Sequence, residues 1–272
     1  MDRDAFIEWH IENGIYDIFE DVPFDHFTII EHKKQDNKTV NVEKNRTIAD
    51  VTVSSSSVTK KYADLARTLA DKSNTLDELK ENISNFDGIS YKKVATNLVF
   101  GDGNTKSDIL LLGEAPGEDE DLAGIPFCGR SGKLLTNIFK SIGFNREDLY
   151  ITNTIFWRPP ANRTPTDDEV EMCRPFVEKH IALINPKIII FVGGTAFNCL
   201  IKHDFRNFTQ TRQKIFNYSN KYLTKEIKTT PIYHPSFLLR QPYKRKEMWY
   251  DLLFIKDNIL NNDKELLNIS SS

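Results

Sequence analysis

The feature that most constrains the fold is a pair of continuous apolar runs that end in glycine, DILLLG at 108–113 and KIIIFVGG at 187–194. Strands that are apolar on both faces are typical of a parallel sheet covered by helices. Two weaker runs also have strand-like composition, at 149–155 and 229–234. Helical spacing is found at 131–143, 166–184 and 244–260. This alternation predicts an α/β fold: a three-layer α/β/α sandwich around a short, mostly parallel four-stranded sheet.

The N-terminal part of the chain has a different character. Apolar residues over 4–20 have the spacing of a short amphipathic helix, and residues 31–60 are polar and serine-rich, which is typical of a linker. Helical spacing resumes over 61–85. We therefore predict three parts: a polar N-terminal extension, an α/β domain and a polar tail, at 1–60, 61–262 and 263–272.

Charge is unevenly distributed along the 272 residues, although the net charge is only −3. Residues 1–30 hold eight Asp or Glu against one Arg, whereas residues 201–246 hold eleven Lys or Arg against two acidic residues. A basic segment of this kind is either a solvated face or a surface for a polyanion. The distribution therefore leaves nucleic-acid binding open despite the acidic total.

Cysteine content and hydropathy exclude several classes of protein. The three cysteines, Cys128, Cys173 and Cys199, form no CxxC pair, so the sequence contains neither a disulfide scaffold nor a complete cysteine metal site. No uninterrupted apolar run approaches the roughly 18 residues that a membrane span requires, and the acidic N-terminus is not a signal peptide. We expect a cytoplasmic protein without a membrane association.

Loops at the carboxyl ends of parallel strands are where such sheets bind ligands. The loop at 113–132 contains several glycines, a group of carboxylates and one aromatic residue, Phe127. The carboxylates would repel an anion, so the loop is not a phosphate cradle. Asn153 lies near the end of another strand, where its amide offers a pocket both a donor and an acceptor.

The last strand is followed by a histidine and a basic segment. His234 precedes a proline, which favours an extended strand exit over a helix interior. After it come the apolar pair Leu238–Leu239 and a cationic run from Arg240 onward. A histidine beside an apolar wedge and cations fits an enzyme that acts on a base drawn from a nucleic-acid strand.

In combination, these loops resemble the uracil-DNA glycosylase superfamily, and most of all its family-4 branch. The similarity covers roughly residues 86–256. The matching segments occur in the order of the family: GEAPGEDEDLAGIPFCGRSG, ITN, RPPANRTPT, FVGG and HPSFLLR. The resemblance implies hydrolysis of the N-glycosidic bond of uracil in DNA after base flipping, which leaves an abasic site.

The resemblance also implies roles for individual residues. Phe127 would stack on the flipped uracil, and Asn153 would bond the polar edge of the ring. His234 would donate to O2, where negative charge grows as the bond to the sugar breaks. Glu120 would block the methyl group of thymine, and Glu114 would lie beside the sugar. In the most familiar uracil glycosylases an Asp positions the water, and Ala115 stands at that place here. The water must then be held by Glu114, Glu120 or backbone carbonyls, and we favour Glu114.

Contacts with the DNA are implied for a second set of residues. Leu238, Leu239 and Arg240 would fill the gap left by the extruded nucleotide. Further cations are candidates for phosphate contacts: Arg158, Arg163, Lys244 and Arg245. Uracil-containing DNA is thus the expected partner, and the protein is expected to be a monomer whose N-terminal extension is a candidate for binding another protein.

One departure from the family concerns its iron–sulfur cluster, which four cysteines usually hold. The corresponding positions in this chain are Phe86, Ile89, Trp157 and Cys173. A single thiolate does not hold a cluster of this type. We therefore predict that the cluster is lost, that packing by the three other side chains replaces it, and that the enzyme needs no cofactor or metal.

Three other interpretations remain open at the level of sequence. A related glycosylase could act on hypoxanthine or other deaminated bases, although Asn153 and His234 favour uracil. A uracil-DNA binding protein without turnover is a second possibility, but relatives of that kind carry GEQPG and a basic, histidine-containing insertion, whereas this chain has GEAPG. The third is an inert catalytic remnant with an N-terminal interaction module.

Overall fold

The computed structural model describes residues 48–260 of the chain, and their side chains over 57–258. The helix predicted at 4–20 and the tail at 263–272 lie outside the described residues. The first helix, α1 (Ile48–Lys72), begins within the stretch predicted to be a linker, so residues 48–60 are helical. The boundary between extension and domain at residue 60 stays a prediction.

A six-stranded sheet forms the centre of the domain. Its strands are β1 (Asp102–Gly103), β2 (Ile109–Gly113), β3 (Tyr150–Asn153), β4 (Ile188–Val192), β5 (Phe216–Tyr218) and β6 (Ile227–Ile232). Their order across the sheet is β1-β3-β2-β4-β6-β5. The central four strands are parallel, and β1 and β5 add antiparallel edges.

The predicted α/β class and mostly parallel sheet are confirmed, but the predicted count of four strands is wrong. The four strands found from sequence are the parallel ones. The two edge strands have two and three residues, which is too short for a hydrophobic period to be recognised.

Helices cover both faces of the sheet. The helices after α1 are α2 (Leu76–Ser84), α3 (Glu118–Ala123), α4 (Arg130–Lys140), α5 (Asp167–Ile184), α6 (Gly194–Leu200), α7 (Pro235–Arg240) and α8 (Arg245–Ile255). Alternate residues of β2 point to opposite sides: Leu110 and Leu112 join one apolar cluster with α1, α2 and α5, while Ile109 and Leu111 join another with α4 and α8. The sheet is thus the middle of three layers.

Capping residues explain where two of these helices begin. The side chain of Thr166 accepts a hydrogen bond from the Glu169 N–H, as the sequence predicts for the start of α5. Thr75 caps α2 in the same way. The single helix expected over 61–85 is therefore two helices, because Thr75 starts a new one after α1 has ended at Lys72.

The parallel order places four loops at one edge of the sheet. Strands β2, β3, β4 and β6 all run in the same direction, so the loops that follow them meet at their carboxyl ends. Three of them, the loop at 113–132 and those that follow Asn153 and begin at His234, were predicted from sequence to bind a ligand. Among the described residues, no helix is both long and apolar enough to cross a bilayer.

Candidate functional site

A cavity of about 510 Å³ opens at the carboxyl edge of the sheet, and we refer to it as the edge cavity. It receives residues from the loops after all four parallel strands. Seven residues predicted from sequence to act on the base or to contact the DNA line it together: Glu114, Glu120, Phe127, Asn153, Arg163, His234 and Arg240. The fold therefore brings together side chains that are up to 126 positions apart, from Glu114 to Arg240.

Asn153 ends strand β3 and is only 1% exposed. Its Oδ1 atom is buried and has no hydrogen-bond partner within the part of the chain that the structure describes. Leaving a buried acceptor unpaired costs about 1–3 kcal/mol. A ligand that donates to Oδ1 is therefore strongly favoured over one that cannot. Gly113 keeps this wall open, because a Cβ at that position would lie 2.3 Å from Oδ1.

Phe127 forms a second wall of the edge cavity. Its ring centroid lies 5.7 Å from that of His234, with 39° between the two planes. The residue has a φ of +49°, in the left-handed region that side chains other than glycine rarely adopt. A Cβ on Gly113 would also lie 2.6 Å from the Phe127 ring, so glycine is required there for both neighbours.

His234 is held in one orientation at the start of α7. Its Nδ1 accepts a hydrogen bond from the Ser236 N–H at 3.1 Å and lies 2.8 Å from the Ser236 hydroxyl. Because Nδ1 is an acceptor, the proton of the neutral ring lies on Nε2. Burial, with a smaller effect of the Arg240 charge, lowers the pKa of His234 from 6.5 to about 4. The ring is therefore a neutral donor at physiological pH.

Two carboxylates line the cavity in different ways. Burial raises the pKa of Glu114, although hydrogen bonds from Thr195 and Thr164 act to lower it. Both oxygens of Glu120 are occupied by backbone, since one accepts from the Gly117 N–H and the other from the Gly129 N–H, each at 3.1 Å. Glu114 is thus a half-buried carboxylate on the cavity wall, whereas Glu120 ties together the two ends of its loop.

The residues predicted to contact DNA differ in how available they are. Arg240 and Arg245 are exposed. Arg163 makes two hydrogen bonds with the Glu169 carboxylate, at 2.6 and 2.8 Å. Lys244 pairs with Glu247.

Arg158 also has a carboxylate partner, because its guanidinium lies 3.5 Å from Glu118. Leu238 is fully buried in the apolar cluster beneath α8, so the expectation that it enters the DNA is wrong. Leu239, beside it, is partly exposed. The period of the short helix α7 explains the difference, since neighbouring side chains point in directions about 100° apart.

Ser236 and Thr195 were not predicted from sequence, although they hold the side chains of His234 and Glu114. Ser236 lies two residues after His234, and a capping interaction at that spacing could have been proposed from the HPS segment. Thr195 follows the Gly193–Gly194 turn, and its role depends on the neighbouring strand order, which no local pattern reveals.

The positions that correspond to cluster cysteines are filled with apolar side chains. Phe86, Ile89, Trp157 and Cys173 are at most 3% exposed and belong to one apolar cluster. The Phe86 ring contacts Phe176 edge-on, with the centroids 5.1 Å apart. Over the described residues, no group of three or more His, Cys, Asp or Glu is arranged to hold a metal ion. These residues do not fit an iron–sulfur cluster.

The sequence is similar to those of several known proteins. Residues 100–253 match the model of the uracil DNA glycosylase superfamily. The chain is 41% identical over 177 residues to a type-4 uracil-DNA glycosylase of Archaeoglobus fulgidus, covering 64% of this chain and 87% of that protein. A type-4 uracil-DNA glycosylase of Sulfurisphaera tokodaii is 38% identical over 187 residues, covering 67% and 84% of the two chains. The chain therefore belongs to the uracil-DNA glycosylase superfamily and is similar within it to the type-4 enzymes.

Proposed function

We infer that this protein is a DNA-repair enzyme that removes uracil from DNA by hydrolysing its N-glycosidic bond. The observation that carries this inference is the unpaired, buried Oδ1 of Asn153 in the same cavity as Phe127 and a neutral His234. An acceptor, an aromatic wall and a single N–H donor are the groups that an extruded uracil needs. The enzyme leaves an abasic site in the DNA.

We propose that Asn153 selects uracil over cytosine. The N3–H of uracil donates to Oδ1, and the amide Nδ2 donates to the O4 carbonyl. Cytosine has an acceptor at N3 and a donor at the neighbouring position, so both contacts would become repulsive. A buried polar group that loses its partner gives strong discrimination, which is why this residue and not the cavity shape carries the choice.

Stacking on Phe127 holds the base against Asn153. Aromatic stacking on a base contributes about 1–3 kcal/mol and tolerates any sequence context around the lesion. Glu120 lies in the same wall, and we propose that it leaves no space for the methyl group of thymine. Its two backbone hydrogen bonds fix the orientation of the carboxylate, which supports a steric role of this kind.

His234 supplies the electrostatic part of the mechanism. As the bond between N1 and the sugar breaks, negative charge moves to O2 of the leaving uracil. The Nε2–H of the neutral ring donates to that oxygen, and Ser236 keeps the ring in the required tautomer. A preorganised donor of this type acts where charge develops in the transition state.

We propose that Glu114 positions the attacking water. It is the half-buried carboxylate of the edge cavity whose oxygens are not both taken by backbone, and its raised pKa makes it a stronger base towards water. Ala115 stands where the family's most familiar enzymes have an Asp, so that side chain cannot take this role.

DNA binding is assigned to exposed residues of the segment after His234, of which Arg240 lines the edge cavity. We propose that Arg240 and Arg245 contact phosphates, because both are exposed and neither shows an ion pair among the described residues. Leu239 is the wedge beside Arg240. Arg158, Arg163 and Lys244 remain candidates, although each must first exchange its carboxylate partner for a phosphate.

We further propose that the iron–sulfur cluster of the family is absent. Apolar packing by Phe86, Ile89 and Trp157 occupies its place, and burial raises the pKa of the Cys173 thiol, which disfavours the thiolate that iron requires. Purified protein should contain no stoichiometric iron or labile sulfide and should be colourless. Broad visible absorption with four iron atoms per chain would contradict this proposal.

The cellular compartment, the oligomeric state and the domain boundaries are also proposals. All three cysteines are free, which fits a reducing compartment such as the cytoplasm. We propose a monomer with residues 1–60 as an extension that binds another protein, residues 61–262 as the glycosylase domain and residues 263–272 as a tail.

An oligonucleotide assay tests the proposed function. Single-stranded and double-stranded oligonucleotides with one uracil are incubated with the protein, and free uracil and strand cleavage at abasic sites are measured. Parallel substrates contain hypoxanthine, thymine or cytosine. Release of uracil alone supports the proposal, whereas equal release of hypoxanthine indicates a broader glycosylase. A complex that survives denaturation without free uracil indicates a protein that only captures the base.

A further inference from the structure

Arg146, which lies outside every sequence motif described above, holds the loop that carries Phe127. It begins a short 3-10 helix, Arg146–Asp148, just before β3. Its Nη1 donates to the Phe127 carbonyl at 3.0 Å, and its Nη2 donates to the Pro126 carbonyl at 2.7 Å. The guanidinium thus binds two consecutive backbone oxygens of the loop that carries Phe127.

The guanidinium is itself oriented by the edge of the sheet. The Arg146 Nε donates to Oδ2 of Asp102 at 2.9 Å, and Asp102 lies on β1, where it pairs with Ile151 of β3. The Arg146 side chain is only 22% exposed. A planar guanidinium presents its donors in a fixed fork, which a lysine ammonium does not reproduce. Arg146 therefore connects the sheet rigidly to the loop.

Phe127 needs such support because of its backbone conformation. A left-handed φ of +49° is unfavourable for an aromatic residue and persists only where its surroundings enforce it. The same Phe127 carbonyl is enclosed by the first turn of α4, since a Cβ on Gly132 would lie 1.7 Å from that oxygen. The oxygen consequently has Arg146 as its donor and Gly132 as its close neighbour.

We propose that Arg146 is a positioning residue for uracil excision. It fixes the left-handed backbone at Phe127, and this backbone directs the ring towards the space beside His234 where the base must stack. Arg146 does not touch the base and acts only through Phe127. The proposal rests on the proposed function, because the placement of the ring matters to the reaction only if the ring stacks on a base.

A double-mutant cycle tests this role. Single-turnover rates of uracil release from a single-stranded oligonucleotide are measured for wild type, Arg146→Gln, Phe127→Ala and the double variant. We expect Arg146→Gln to lower the rate about 10-fold, because small misplacements of binding groups are costly. We expect Phe127→Ala to lower it by about 10- to 100-fold, from lost stacking. Arg146→Gln should then cause no further loss in the Phe127→Ala background.

Two outcomes would overturn the proposal: an Arg146→Gln rate equal to wild type, or the same loss factor in both backgrounds. The second outcome is what a merely structural role would give. A wild-type protein that releases no uracil contradicts the proposed function itself. Failure of the positioning role is distinguishable, because the wild type then remains active.

Control variants distinguish an effect on the position of Phe127 from a general loss of stability. Arg174→Gln removes another half-buried arginine, 28% exposed and paired with Glu171 at 2.9 Å, and should leave the rate unchanged. Asp102→Asn keeps the Arg146 side chain but weakens its orientation, and it serves if Arg146→Gln does not fold. It should lower the rate about 3-fold in the wild-type background and not in the Phe127→Ala background. Equal losses in both backgrounds would overturn the proposal here too.

Discussion

Replacement of His234 by alanine removes the group that we propose stabilises the departing uracil anion. The ring lies in the wall of the edge cavity, and Ser236 occupies its Nδ1, so that one N–H donor is lost. Removing a single preorganised donor to an oxyanion costs about 3–4 kcal/mol. At about 1.4 kcal/mol for each factor of ten, the chemical step should slow by roughly 100- to 1,000-fold.

Single-turnover release of uracil from an oligonucleotide measures this step without a contribution from product release. His203→Ala is a matched control, because the Nδ1 of His203 also accepts a backbone N–H two residues later, from Phe205 at 3.2 Å. His203 does not line the edge cavity, so this variant should keep the wild-type rate. Thermal unfolding of both variants shows whether either substitution disturbs the fold.

The pH profile provides an independent test of the same reasoning. Because the pKa of His234 is lowered to about 4, the ring stays neutral from pH 8 down to pH 5 and should add no inflection near 6.5. An inflection near 6.5 in the wild type that His234→Ala abolishes would refute the neutral donor, since the donor would then be an imidazolium. A His234→Ala rate within about fivefold of the wild type would also refute it, because the lost donor would be worth only about 1 kcal/mol.

Further predictions concern selectivity, DNA binding, the water and stability. Asn153→Asp should lower uracil release about 100-fold and make cytosine release detectable in the same assay. Unchanged discrimination between uracil and cytosine would show that Asn153 does not select the base. Arg240→Gln and Arg245→Gln should each weaken binding and reduce the slope of log affinity against log salt by about 0.7–0.9, whereas an unchanged slope would exclude a phosphate contact. Glu114→Gln should slow the chemical step about 100-fold at an unchanged affinity for DNA, and a wild-type rate would place the water elsewhere. Burial lowers the pKa of His180 from 6.5 to about 3, so the unfolded state binds more protons and stability falls as the pH drops below about 6.5. His180→Gln should therefore reduce the loss of unfolding free energy between pH 7 and pH 5 by about 2 kcal/mol, measured by urea denaturation, and an identical loss in both proteins would contradict the assignment.

The central strands and the loops at their carboxyl ends were accessible from sequence because each has a local signal, whereas the roles of Glu114 and Glu120 rested on the resemblance to the family. The run that forms β4, Ile188–Val192, is apolar at every position because both faces of the strand are buried. Thr166 followed by acidic residues indicates the start of α5. The strands then place their loops at one edge, so Phe127, Asn153 and His234 could be expected to meet.

Other features have no local signal. Leu238 and Leu239 are adjacent and equally apolar, yet one is in the core and the other is partly exposed, because the direction of α7 relative to the sheet separates them. The Arg163 charge looks available in the sequence, but the fold turns the side chain back towards the start of α5, where the Glu169 carboxylate binds it. Availability for DNA therefore depends on packing and not on residue type.

The sequence by itself determined the layer architecture and the chemical groups around the cavity, since hydrophobic periodicity and loop residues act over short stretches of chain. Only the tertiary structure decided which charges are already paired, which apolar residues are buried, and that Arg146 supports Phe127. That contact joins residues 19 positions apart and depends on Asp102, which is 44 positions away from Arg146. Interactions between such distant residues form only when the strand order is fixed, and no local pattern of amino acids encodes that order.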